Sequence, residues 1–214
     1  NCHPIAQGAA MCCDSAHKTL PVVTGGAYLH LAHDAPVQDE AAVRGALALF
    51  GSTSPSYLIL QSLDACNAVL AGDYPRRLAQ CCAALEGLRR SLNKAAAARQ
   101  CPVPLAVAGA QQEPMKLTLD AAALGCTGTA LAEALRRAQL ECEYADPRYV
   151  VLMFTPENPP QDFERLQTAL EQLLAAVPAG LPRPENRAGE FAALQQQAVQ
   201  RCTIRQAVLG AQVR

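Results

Sequence analysis

No uninterrupted apolar run in this sequence approaches the ~20 residues that a helix needs to cross a bilayer, although half of its 214 residues are hydrophobic. The opening residues lack a basic segment followed by an apolar core, the pattern of a secretory leader. Neither membrane insertion nor export is expected, and a cytoplasmic location is. An excess of positive charge is missing too. With 18 Lys and Arg against 19 Asp and Glu the formal net charge is -1. Nucleic acids and anionic membrane surfaces both need a basic face, so neither is an expected partner. The pairs Arg76-Arg77, Arg89-Arg90 and Arg136-Arg137 fall on helical patterns that also carry acids and glutamines, and read as solvated faces.

Zinc-finger spacing is absent as well. The ten cysteines include no Cys-x-x-Cys, and a disulfide framework is not expected in a chain of this size without a leader. Cys12-Cys13 and Cys81-Cys82 are adjacent pairs, whose side chains diverge on a strand or a helix. They read as small apolar fillers in a reducing cytosol. His30, His33 and Asp34 are the one metal-like grouping. No further ligand stands at workable spacing, so they read as strand-end histidines and no metal is expected.

What the sequence does have is Asp14-Ser15-Ala16-His17-Lys18-Thr19, set between the apolar runs 8–13 and 20–23. A lysine at the mouth of buried strands is disfavoured as an ammonium and pushed toward the neutral nucleophile needed for a Schiff base. Short polar neighbours such as Ser15 and His17 suit a phosphate. On local pattern alone, a solvated lysine in a turn, with Ser15 and His17 as ordinary turn residues, is the better fit.

The hydrophobic periodicity predicts strands over 8–14 and 20–31, with Gly25-Gly26 permitting a tight bend. Asp39 is expected to cap a helix over 40–50, and Ser54 one over 55–71 with Pro55 in its first turn. A long helix over 75–99 follows, then a loop with two prolines over 100–112. Beyond it come a strand over 115–120, a helix over 127–139 capped by Thr127, strands over 140–145 and 149–155, and a helix over 161–177. That β-α-β-β-α order predicts helices on one face of an antiparallel sheet. A proline-rich linker over 181–187 and a glutamine-rich surface helix over 188–200 complete the expectation.

The run DSAHKTLPVVTGGAYLHLAHD, followed by LFGSTSPSYLILQSLDACN, resembles the pyridoxal-phosphate-dependent ornithine/lysine/arginine decarboxylases of the aspartate-aminotransferase fold. The similarity continues through EPMKLTLD, GCTGTALAEALRRAQLECEYAD and YVVLMFTPEN, and so covers nearly the whole chain. The resemblance implies an α/β protein: the carboxyl-terminal part of a fold type I large domain with its connector helix over 1–100, then a small α+β domain over 101–214. It implies pyridoxal 5'-phosphate as cofactor, with Lys18 as the Schiff-base lysine and Ser15 and His17 bonding the phosphate or supporting the lysine. Ser52, Thr53 and Ser54 would reach the phosphate of a neighbouring subunit, which makes the active form at least a homodimer. The small-molecule substrate would be arginine, lysine or ornithine. The family's phosphate-gripping turn, ring-stacking side chain and ring-pairing Asp lie upstream of the lysine, so a chain with the lysine at residue 18 is expected to be an enzyme's carboxyl-terminal portion. Two alternatives stay open: another fold type I reaction such as transamination, and a non-catalytic remnant that pairs with a full-length subunit. Glu113, Glu141, Glu143 and Asp146 are candidates for holding a substrate's distal cation, but read more simply as exposed acids on alternating strands.

Overall fold

The computed structural model describes residues 3–37, 39–109, 112–178, 181, 197, 199 and 201–210. The expected linker, apart from Leu181, and most of the expected helix over 188–200 lie outside the described residues.

The chain opens with a short 3-10 turn, Ile5–Gln7, and a two-stranded antiparallel ribbon of β1, Met11–Asp14, and β2, Tyr28–Leu31. Both strands are shorter than their apolar runs predict, and neither contains a buried residue. The run 20–23 is not strand. Pro21 has no N–H to give to a ladder, and the backbone closes turns instead, with Val22 N–H on the Leu20 carbonyl and Gly26 N–H on that of Val23. Gly25, at φ +97°, takes the left-handed bend that its lack of a Cβ allows.

Three helices follow. α1 spans Glu40–Phe50, and the Asp39 side chain accepts from Ala41 N–H as a cap should. α2 spans Tyr57–Ala71, two residues later than expected, with Ser56 rather than Ser54 at the cap position. Ser54-Pro55 stays outside the helix, where Ser52 Oγ accepts from Ser54 N–H at 3.1 Å. α3 runs from Tyr74 to Ala98 and carries Pro75 in its first turn, where a missing N–H costs nothing.

The second sheet is antiparallel, in the order β3 (Lys116–Asp120), β5 (Tyr149–Met153), β4 (Tyr144–Ala145). α4, Gly128–Arg137, is capped by Thr127 Oγ1 on Ala130 N–H, and α5 spans Pro160–Ala175. Leu117, Leu119, Val150 and Leu152 from the sheet form one core with Leu85, Leu88 and Leu92 of α3, Leu131 and Leu135 of α4, and Leu166, Leu170 and Leu174 of α5. A loop is stitched to α3 beside this core: Asn93 Oδ1 accepts from Ala106 N–H at 2.7 Å and Nδ2 donates to its carbonyl at 2.8 Å. The same residue forms a bridge with Leu119 on the edge of β3. Gly128 must be glycine, because a Cβ there would stand 2.4 Å from the Asp146 carbonyl oxygen and 2.5 Å from that of Tyr149. A short helix, Ile204–Leu209, with a full capping box between Thr203 and Gln206, was not expected from the sequence.

No described helix is long and apolar enough to cross a membrane. Nine of the ten cysteines are described and none of these is in a disulfide. Cys66 and Cys81 are buried fillers, whereas Cys13 is exposed.

Candidate functional site

Ser15, His17 and Lys18 share one turn. Ala16–Lys18 forms a 3-10 helix between the ribbon strands, with Ala16 buried beneath it. The turn is pinned from both ends. His17 points its backbone N–H and its ring Nδ1 at the same acceptor, the Gly26 carbonyl, at 3.2 and 2.9 Å. Tyr74, at the start of α3, donates its hydroxyl to the Thr19 carbonyl at 3.3 Å. The ribbon is tied in turn to α2, where Ser62 Oγ accepts from Val23 N–H and Tyr28 donates to the Leu63 carbonyl.

Pinning by Nδ1 leaves His17 Nε2 as the ring atom available to a ligand. Ser15 and Lys18 are exposed, and neither side chain is bonded within the described residues. The apolar walls expected around Lys18 are therefore not supplied by the described part of the chain. Local sequence carries the strand-turn-strand, but not what stands opposite the lysine.

Ser52, Thr53 and Ser54 are exposed in the connection between α1 and α2. They share no hydrogen bond with the Lys18 turn among the described residues. Beside that turn lies a cavity of about 230 Å³ walled by Thr19, Leu20, Tyr74, Met115, Met153 and Phe154, with Glu113 also on its lining.

Three of the four acids considered for a substrate cation have local work, Glu143 being the exception among the described residues. Glu141 pairs with Arg136, Asp146 accepts from the backbone N–H groups of Arg148 and Tyr149, and Glu113 accepts from Met115 N–H. Asp120, buried, takes the Arg148 guanidinium at 2.7 Å, which raises the arginine's pKa.

Sequence spacing missed a further cluster. His30 does not group with Asp34; its Nε2 lies 3.0 Å from Asp14 Oδ2, and His33 and Asp34 sit in the exposed turn beyond the strand. The same oxygen is 3.0 Å from His3 Nε2, and Cys12 donates its thiol to Asp14 Oδ1 at 3.0 Å. The available signal was the alternation Cys12-x-Asp14, which puts both side chains on one face of a strand.

Residues 5–161 match the family described as Orn/Lys/Arg decarboxylase, major domain. The chain belongs to this decarboxylase family. An uncharacterised protein of Bacillus subtilis, YaaO, is 33% identical over 153 residues, 70% of this chain and 30% of its own length. Arginine decarboxylase of the same organism is 29% identical over 171 residues, 78% of this chain and 34% of its own. The structure of the Escherichia coli constitutive lysine decarboxylase superposes with a TM-score of 0.62 at 19% identity, covering 81% of this chain and 31% of that one. The fold is thus that of the family, and the chain spans about a third of the length of these relatives. The family match takes in the Lys18 turn, the Ser52–Ser54 connection and the whole of the second sheet.

Proposed function

We propose that this chain is the carboxyl-terminal portion of a pyridoxal-phosphate-dependent decarboxylase of a basic amino acid. The observation that carries the reading is the family match running through an exposed turn on which Ser15, His17 and Lys18 stand together. An amine and a hydroxyl that make no bond among the described residues, beside an imidazole with Nε2 available, fit the aldehyde and phosphate ends of pyridoxal 5'-phosphate. When bound, that cofactor supplies the electron sink for the pair left behind as carbon dioxide departs.

Lys18 Nζ would hold the cofactor covalently through its aldehyde carbon, the aldehyde oxygen leaving as water. With a substrate amine in its place, the same nitrogen would be free to hand a proton to the carbon that lost the carboxylate. Ser15 Oγ would donate to a phosphate oxygen, as would His17 Nε2 when the ring carries both protons, and the Gly26 carbonyl keeps the imidazole turned for that task. The cavity beside the turn has aliphatic and aromatic walls and one carboxylate, Glu113, which complements the stem and distal cation of arginine, lysine or ornithine. Ser52, Thr53 and Ser54, exposed and unconnected to this chain's own Lys18 turn, are read as contacts to a neighbouring subunit's phosphate, which requires a homodimer. In this reading residues 1–100 end the large domain and 101–214 form the small one.

Borohydride reduction of the chain mixed with pyridoxal phosphate, followed by peptide mass spectrometry, tests the assignment. The cofactor mass should appear on the peptide containing Lys18 and vanish in Lys18→Ala. Labelling confined to Lys94 or Lys116 overturns it.

A second reading has an observation of its own. Phe50 is 92% and Leu49 79% exposed on α1, which favours a subunit that acts only when docked on a full-length partner. Co-purification with such a partner, without labelling at Lys18, would decide for it.

A further inference from the structure

The ribbon carries a second cluster that the decarboxylase reading does not use. In the antiparallel register Cys12 stands directly opposite His30, and Asp14 lies on the same face two residues on. His3 folds over that face from the segment before β1, its ring edge-to-face with His30 at 5.2 Å between centroids. The ligand atoms of His3, Cys12 and Asp14 all lie within 4.8 Å of one another. Each side chain is half-buried, open enough for an ion to enter.

We propose that His3, Cys12 and Asp14 form a binding site for a borderline-soft divalent cation of the zinc class, with His30 as a positioning residue. Nitrogen, sulfur and one carboxylate oxygen are the donor types that such a cation selects over calcium or magnesium. Three protein ligands leave a fourth tetrahedral position for water. Thiolate and carboxylate together neutralise the charge of a divalent ion. If Asp14 Oδ1 turns to the metal, Oδ2 keeps its 3.0 Å contact with His30 Nε2, which holds the carboxylate in orientation.

Without metal the same groups form a hydrogen-bonded set. Bonds from the Cys12 thiol and the His3 ring hold the Asp14 carboxyl below its ordinary range, and the same thiol bond raises the thiol above its own. Metal binding displaces the Cys12 proton to solvent as the metal–sulfur bond forms. It also moves the His3 proton from Nε2 to Nδ1, giving up the long 3.3 Å bond from Ile5 N–H. That bond is weak compared with a metal–imidazole contact.

Cobalt(II) is the probe. Titrated into the purified, chelator-treated 214-residue chain under reducing conditions, it should saturate at one equivalent and show a thiolate-to-cobalt charge-transfer band that zinc(II) bleaches. Cys12→Ser should abolish the band while far-UV circular dichroism stays unchanged. Cys13→Ser, on the opposite face of the same strand, should leave it intact. His30→Ala should weaken binding by ~10–100-fold, the usual cost of losing a group that holds a ligand, without removing the band. No saturable binding, a band that survives Cys12→Ser, or one lost equally in Cys13→Ser would overturn the site. None of these readouts depends on pyridoxal phosphate, so this proposal and the decarboxylase reading stand or fall separately.

Discussion

Residues 3–71 and residues 81–174 both contain apolar helices laid beside an antiparallel sheet, yet they treat their apolar surface in opposite ways. The second region closes on itself: Leu85, Leu92, Leu117, Leu119, Leu135 and Leu170 are each fully buried. In the first region α1 buries no residue, α2 buries only Cys66, and the ribbon buries none. Met11, Leu29, Val37, Val43, Leu47 and Phe50 instead line an open apolar groove. Hydrophobic periodicity predicts that a face will be covered, and it predicts equally well in both regions. It does not say whether the cover comes from the same stretch of chain. The Lys18 turn belongs to the first region, so its chemistry depends on whatever completes that surface.

The largest effect should come from the closed region. Leu119→Ala removes a fully buried side chain from β3, the strand paired with β5 in the second sheet. Large-to-small changes at such sites cost about 2–5 kcal/mol, the transfer term plus the cavity left behind. Urea unfolding should show the midpoint falling with little change in slope. A cost below ~1 kcal/mol, within the range of ordinary surface changes, would mean that this core is looser than its burial implies.

How far sequence reached differs between the regions for a physical reason. Asp39, Pro75 and Thr127 announce helix starts because capping is local chemistry, and all three helices begin within a residue of expectation. The β-α-β-β-α order was readable because its elements pack on one another, so their apolar faces follow regular periods. The Leu20–Val23 run looked like strand because apolar residues next to a glycine pair fit one, and only the turn hydrogen bonds show otherwise. Ser54 reads as a cap in sequence, yet the helix starts at Tyr57 with Ser56 at the cap position. The Lys18 turn was legible because its residues are neighbours in sequence. The His3–Cys12–Asp14–His30 cluster was not, since strand register sets which residues face one another and register has no mark in a single sequence. The Asn93 clamp on Ala106 was hidden because it joins a helix to a loop that only the tertiary fold brings beside it.

Alkali should separate the regions by a smaller margin. In the second region burial raises the Cys81 thiol above its ordinary value, with Cys82 beside it adding to the shift. Burial likewise raises the Tyr74 phenol at the head of α3, and the Glu157 carboxylate adds to it. Both groups are neutral in their stabilising form, and the unfolded chain ionises first as pH rises. Their contribution is complete below the ordinary thiol value of about 8.5 and is lost as pH climbs through the raised folded values. In the first region the upward shift at Cys12 comes chiefly from its bond to Asp14, not from burial. Urea midpoints of the core transition should therefore fall between neutral and alkaline pH, and Cys81→Ala should flatten that slope. An unchanged slope would place the alkaline sensitivity elsewhere.

The smallest effect is the most instructive. Phe50→Ser takes a large apolar side chain off the end of α1, where it is 92% exposed. In the isolated chain nothing covers that ring among the described residues, so unfolding should change by no more than ~0.5 kcal/mol, as for surface positions generally. Solubility should rise, because an exposed apolar patch that favours self-association is reduced. If the same substitution costs as much as Leu119→Ala, then α1 is covered in solution after all, and the contrast between the two regions fails. If stability is unchanged but association with a full-length relative or a second copy is lost, the exposed face is an interface. The apolar pattern of the first region would then have been selected for a surface outside its own core, which is why its helices read as buried from the sequence and stand open in the structure.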